Sequence, residues 1–217
     1  MKFSCLQQDL LPVLQAVARS VGVRSTLPVL DNILLSLEGQ KLKVAATNLE
    51  IGVIKYLKVE AEVPGEITVP AKTLVELISG LGQAKVILTS EGEVLTIESG
   101  KFKASVNGIA AAEFPAIPLA EGSGISFPKE AFLTSSQILF ASAIDEGRPV
   151  LTGVLTEIKK GSLEVVATDG FRLAHKTAKI DNSTASFKAL IPRRTFDEVV
   201  RLIAEDLIDS KDEKVQI

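Results

Sequence analysis

The sequence predicts an α+β protein of tandem units, each with two helices packed on antiparallel sheet and the second unit incomplete. Three observations predict it: the chain repeats itself at a nearly constant spacing, each repeat holds two apolar runs at helical period, and the remainder alternates like strand. Leu42 to Thr47 (LKVAAT) recurs 121 positions later as Leu163 to Thr168 (LEVVAT). Val69-Pro70-Ala71-Lys72-Thr73 with Glu76 recurs 122 positions later as Ile191-Pro192-Arg193-Arg194-Thr195 with Glu198. Met1-Lys2-Phe3 answers to Ile125-Ser126-Phe127, and Thr26 to Leu30 loosely to Arg148 to Leu151.

Each element has a local reason. Thr73-x-x-Glu76 and Thr195-x-x-Glu198 have capping-box spacing, in which the threonine hydroxyl accepts from an orphan amide and the glutamate reaches back. Both precede apolar stripes, Leu74, Leu77, Ile78 and Leu81 in one copy and Phe196, Val199, Val200 and Ile203 in the other. Pro12, early in its segment, suits the first turn of another helix. The strands expected are 29–37, 41–46, 52–63, 66–69, 85–89, 93–99 and 101–107, rich in Val, Ile and Thr and punctuated by Gly turns. The organisation expected is a first domain over 1–118, a linker over 119–124 and a second domain over 125–217. That second copy stops where Lys214 to Ile217 aligns with Lys85 to Leu88, so a fragment lacking its last strands is expected, because a sheet stripped there exposes an edge.

Composition narrows the function. With 217 residues, 46% hydrophobic and 24% charged, the chain can bury a real core. A net charge of −3 from 24 basic and 27 acidic residues excludes a globally basic nucleic-acid binder. It leaves room for cations confined to one surface. No apolar run approaches the ~20 residues of a membrane helix and the start lacks a signal pattern, so a cytoplasmic protein is expected. The single cysteine, Cys5, excludes an intrachain disulfide and reads as a core thiol alternating with Phe3. One histidine, His175, leaves no multi-histidine metal site, and no G-x-S-x-G elbow, P-loop or dinucleotide fingerprint is present. A non-catalytic protein with neither cofactor nor metal is expected.

Several segments, in order, resemble the bacterial sliding clamp family. They are Arg24-Ser25-Thr26-Leu27-Pro28-Val29-Leu30, Val69-Pro70-Ala71-Lys72, Ala112-Glu113-Phe114-Pro115, Arg148 to Val154 (RPVLTGV), Ala167 to Ala174 (ATDGFRLA) and Ile191-Pro192-Arg193. The resemblance implies three such domains per subunit and two subunits closing into a ring on duplex DNA, which tethers the replicative polymerase. It implies phosphate contacts from Arg24, Lys72, Arg148, Arg193 and Arg194. It further implies a peptide cleft at Leu151, Thr168, Gly170, Phe171, Arg172 and Leu173, which docks the polymerase catalytic subunit and the clamp loader. Lys101 and Lys103 alternate on a probable edge strand, where lysines also serve to block unwanted pairing; the resemblance matches them to the family's subunit boundary, and with the third domain missing a monomer is expected.

Two readings by pattern alone stand beside these. Lys72, Arg193 and Arg194 lie just before helix starts, where the helix dipole disfavours a cation and an external phosphate would relieve the conflict. The alternative is solvated surface charge. Asp169-Gly170 is a turn signal, and Phe171 and Leu173 could be core on one strand face. The rival function is a repeat scaffold that binds proteins only; it gives no reason for cations at helix starts in both copies.

Overall fold

The computed structural model describes residues 1–22, 27–118, 126–145, 147–180, 186–204 and 214–216, and the chain divides into two compact units, residues 1–119 and 120–217. Unit 1 runs β1 (Lys2–Leu6), α1 (Gln7–Ala18), a 3-10 turn (Pro28–Asp31), β2 (Asn32–Glu38), β3 (Lys41–Thr47), β4 (Gly52–Lys58), β5 (Glu60–Val63), β6 (Gly65–Pro70), α2 (Ala71–Ser79), β7 (Lys85–Glu91), β8 (Val94–Ser99) and β9 (Phe102–Asn107). Its strands form two antiparallel sheets, in the orders β5-β1-β7-β8-β9 and β4-β3-β2-β6.

The helices lie on these sheets because each carries an apolar stripe. Leu10, Leu14 and Val17 of α1 and Leu74 and Ile78 of α2 have no solvent exposure, and they share a core with Phe3, Leu35, Val44, Val69, Leu88 and Ile97. Each such burial contributes roughly 1.5–3 kcal/mol. The buried Gln7 Nε2 donates to the Ile78 carbonyl at 3.1 Å and so joins the start of α1 to the end of α2.

Unit 2 runs β10 (Ser126–Pro128), α3 (Lys129–Ser135), 3-10 turns at Ser136–Ala141 and Pro149–Thr152, β11 (Gly153–Lys159), β12 (Ser162–Thr168), β13 (Leu173–Lys179), β14 (Phe187–Pro192), α4 (Arg193–Ala204) and β15 (Lys214–Gln216). A four-stranded antiparallel sheet in the order β13-β12-β11-β14 repeats β4-β3-β2-β6, and β10 pairs with β15 as β1 does with β7. Its core centres on Phe132 of α3 stacked on Phe196 of α4, with ring centroids 4.4 Å apart.

Several expectations need correction. The capping boxes do not form: α2 starts at Ala71 directly after Pro70, with no side-chain cap, and α4 starts at Arg193. Strand runs straight into helix, so Thr73 and Thr195 already sit inside the first turn with helical backbone and cannot act as caps. Lys72, Arg193 and Arg194 likewise lie within the first turn rather than before it. Pro12 is interior to α1, beyond its first turn. The run 29–37 begins as a 3-10 turn and becomes strand only at Asn32. The run 52–63 is two strands: it breaks at buried Val59, whose N–H donates to the Gln40 carbonyl at 3.0 Å, and β4 and β5 pair in different sheets. Lys101 lies in the turn ahead of β9. Phe171 and Leu173 are 95% and 66% exposed, so they are not core. Cys5 is only half-buried at the end of β1; burial first, and the Asp9 charge second, push its thiol up to about 12.

A buried polar link ties the four-stranded sheet of unit 1 to the segment that follows β9. Asn32 Nδ2 donates to Thr68 Oγ1 at 3.0 Å, and that hydroxyl donates to the Ile109 carbonyl at 2.8 Å. Gly108 lets the strands close here, since a Cβ at that position would collide with the Thr68 carbonyl oxygen. Thr68→Val preserves shape and strands the Asn32 amide, so urea denaturation is expected to show a loss of about 1–3 kcal/mol. Cys5 is expected to resist iodoacetamide at pH 8 in the native protein and to react in denaturant, because only the thiolate attacks; fast native labelling contradicts the raised thiol.

Candidate functional site

The hairpin joining β12 to β13 is organised by two side chains. Thr168 Oγ1 accepts from the Gly170 N–H at 3.1 Å and donates to the Arg172 carbonyl at 2.7 Å. Asp169 Oδ1 accepts from the N–H groups of Phe171 and Arg172 at 2.9 and 3.0 Å, while Arg172 Nε donates to Oδ2 at 2.9 Å. The two backbone donors, Phe171's first, hold the Asp169 carboxyl down at about 2, and the Arg172 side chain adds to them. Gly170 has φ +91°, in the left-handed region. The turn therefore fixes its backbone from inside and thrusts Phe171 outward.

A pocket of about 330 Å³ opens beside this hairpin. Leu151, Phe171 and Arg172 from the expected cleft line it, together with Arg148, which the resemblance places among the DNA contacts. Gly170 lies against the same wall: a Cβ there would stand 3.3 Å from Arg148 Nη1 and 3.9 Å from Leu151 Cδ1. Thr168 braces the turn from its base, and Leu173 opens β13 as an exposed side chain outside the lining. Sequence reasoning missed Phe140, Ser142, Ala143, Ile144 and Asp145, which with Asp169 complete the pocket. Phe140 and Ile144 are 60% and 85% exposed, and the Arg172 guanidinium sits 5.9 Å from the Phe140 ring centroid. Their i, i+4 spacing reads as a buried helical stripe; only the end of the 3-10 turn at Ala141 betrays that Ile144 has no helix to bury it.

The other expected sites are scattered. Arg24 lies outside the described residues. Lys72 stands in the first turn of α2, exposed, with Glu76 4.0 Å away. Arg193 and Arg194 open α4, with Arg194 exposed. Neither α2 nor α4 has an acid in its first turn, whereas α1 has Asp9 and α3 has Glu130. At the far edge of the five-stranded sheet, Lys103 on β9 is bonded to Glu98 at 2.7 Å, which raises its pKa, and Lys101 lines the cleft beside it.

Comparison with known proteins places this arrangement. Residues 1–118 match the family model of the DNA polymerase III beta subunit, N-terminal domain, and residues 129–217 that of its central domain. The chain belongs to the DNA polymerase III beta subunit family. Among beta-subunit relatives, the beta sliding clamp of Synechocystis is 35% identical over 94% of the chain, which spans 58% of that protein. The chain thus corresponds to little more than half of the curated relatives it matches. Among solved beta subunits, the sliding clamp of Pseudomonas aeruginosa bound to griselimycin gives a TM-score of 0.84 at 34% identity, covering 94% of this chain and 57% of that one. The clamp of Caulobacter crescentus gives 0.89 at 31%, covering 100% and 60%. Among the described residues no helix is long and apolar enough to cross a membrane.

The Asp169 turn has a signed pH dependence. A carboxyl held below its free value of roughly 3.9 contributes stability that is complete above that pH and is lost as pH falls through the folded value. The Phe171 and Arg172 amide shifts are therefore expected to stay flat from pH 7 to about 4 and to move with a midpoint near 2. An NMR titration checks this, and a midpoint near 4 overturns the turn geometry.

Proposed function

We propose that the chain acts within a sliding clamp that surrounds duplex DNA without reading its sequence, carries out no reaction, and docks short peptides of its partners. One observation carries the DNA part. Both repeats place cations in the first turn of the helix that follows the same Pro, Lys72 in one and Arg193 with Arg194 in the other, against the local dipole and without a first-turn acid. Phosphate at those helix ends resolves the conflict electrostatically. A tether must slide, so contacts confined to phosphate suit it and base contacts would not.

The unit 2 pocket supports the docking part. It offers exposed aromatic and aliphatic walls with two guanidinium groups, the composition that dominates binding energy at peptide interfaces. The polymerase catalytic subunit and the clamp loader are the partners that this reading assigns to it. Lys103 on the edge strand β9, and Lys101 in the turn ahead of it, are assigned to the boundary between two copies in a ring. Arg148 is reassigned from phosphate to the pocket, and Arg24 remains a proposed phosphate contact. The setting is the bacterial cytoplasm, where chromosomal DNA is copied.

Fluorescence anisotropy with two duplexes of unrelated sequence tests the DNA part. Equal affinity for both is expected, and removing Lys72, Arg193 and Arg194 should lower the slope of log K against log salt by about 0.9 for each phosphate left without its cation. A sequence preference, or a slope unchanged by the triple substitution, contradicts the proposal.

A further inference from the structure

The last stretch of unit 1 crosses its own four-stranded sheet on the face turned away from the helices. Ile33, Leu35, Val44 and Val69 point into the core, so strand alternation turns Asn32, Ala45, Thr47 and Thr68 the opposite way. Those four are buried all the same, at 6% exposure or less. Residues 109–118 cover them. Ile109 pairs with Thr68 on the edge strand β6, and Ile117 stands over Gly52 on the opposite edge strand β4, so the segment spans the sheet from rim to rim.

Its two ends are held differently. Ile109 exchanges two backbone hydrogen bonds with Thr68, at 2.9 and 3.1 Å, and its carbonyl also accepts from the Thr68 hydroxyl at 2.8 Å. A 3-10 turn (Ala111–Glu113) follows, and the Phe114 N–H closes it onto the Ala111 carbonyl at 3.0 Å. From Pro115 to Pro118 no hydrogen bond or ion pair holds the chain among the described residues. Ile117 is seated by shape instead: a Cβ on Gly52 would stand 2.6 Å from its Cγ2 and 3.4 Å from its Cγ1 and Cδ1. Pro115 and Pro118 have fixed φ and keep the residues before them extended, so this stretch is stiff.

The strand itself does not require a glycine at position 52. Its φ lies outside the left-handed region, and at the matching place in unit 2, opposite Thr168 as Gly52 is opposite Thr47, stands Leu173. A leucine therefore fits this strand position, and in unit 1 it is Ile117 that leaves no room for one.

We infer that residues 114–118 form a flap on unit 1, hinged at the turn over Ala111–Glu113, closed by the fit of Ile117 onto Gly52, and able to swing off the sheet while Ile109 stays bonded. Beneath it Leu34, Ala45 and Ile54 are neighbours across three strands. Opening turns that apolar strip to solvent, and closing hides it again.

Backbone relaxation of the whole chain by NMR reads the flap residue by residue. Gly52→Ala intrudes on Ile117, and Ile117→Ala removes the three side-chain atoms nearest Gly52. Each is expected to lower the order parameters of Ala116 and Ile117 from about 0.85 to below about 0.6, while Ile109, β2 and β3 keep theirs. Combined, the two substitutions fit one another, and much of the rigidity is expected to return. The dye 1-anilinonaphthalene-8-sulfonate, which brightens on apolar surface, is expected to fluoresce more with either single variant than with the pair or the unaltered protein. Unchanged order parameters in Gly52→Ala overturn the inference, and a combined variant as loose as the single ones shows that shape is not what closes the flap. Loosening that spreads back to Ile109 removes the hinge, and loss of the β2 and β3 signals in all three variants makes the segment part of the core; either result also overturns it.

Discussion

The rotation of each helix about its own axis is set by the stripe it must bury, and most of the surface chemistry follows from that. Leu74 and Ile78 in α2, and Phe196 and Ile203 in α4, are held against their sheets with almost no exposure. Once they are inward, Lys72 and Arg194 have no choice but to face solvent at the helix start. Positive charge displayed there is thus a by-product of core packing, held in the case of Lys72 only by the loose, exposed ion pair with Glu76. A long flexible cation on a rigidly oriented helix suits the phosphate contacts proposed for this surface, which form no fixed bond.

The pocket in unit 2 is built on a different principle. Most of its walls are side chains left in water, and on the hairpin side the placement of Phe171 and Arg172 comes from hydrogen bonds within the turn rather than from burial. The Asp169 carboxylate has its charge satisfied by the backbone it organises, and Arg172 is held between that carboxylate and the Phe140 ring. Arg148 has no carboxylate partner among the described residues and faces the same space. The apolar walls supply area, and the hairpin supplies preorganisation, which spares a ligand much of the entropy of ordering its site.

Much of the fold was legible in the sequence because the repeat doubled every signal. LKVAAT and LEVVAT each form the second strand of a four-stranded sheet, and both apolar stripes fall on helices except for Leu81, which lies past the end of α2 at Ser79. The errors come from places where local pattern and tertiary context disagree. Thr73-x-x-Glu76 has the spacing of a cap, but Pro70 lies at the strand end and starts the helix three residues earlier than the threonine would. The alternation of 52–63 gives no hint of a partner change, since both sheets ask for the same period. Motif position alone points Arg148 at phosphate; its proximity to Gly170 depends on a turn arriving from a distant strand. Phe140 and Ile144 are invisible in the sequence because apolar residues at helical spacing nearly always mean core.

The break at Val59 reaches further than strand geometry. One unbroken stretch of chain gives β4 to one sheet of unit 1 and β5 to the other, with buried Val59 as the hinge between them. Neither sheet can peel away while its neighbour stays whole, because the departing strand drags the adjoining one out of register. Unit 1 is thereby welded into a single cooperative block, whose innermost amides should exchange with solvent only through complete opening.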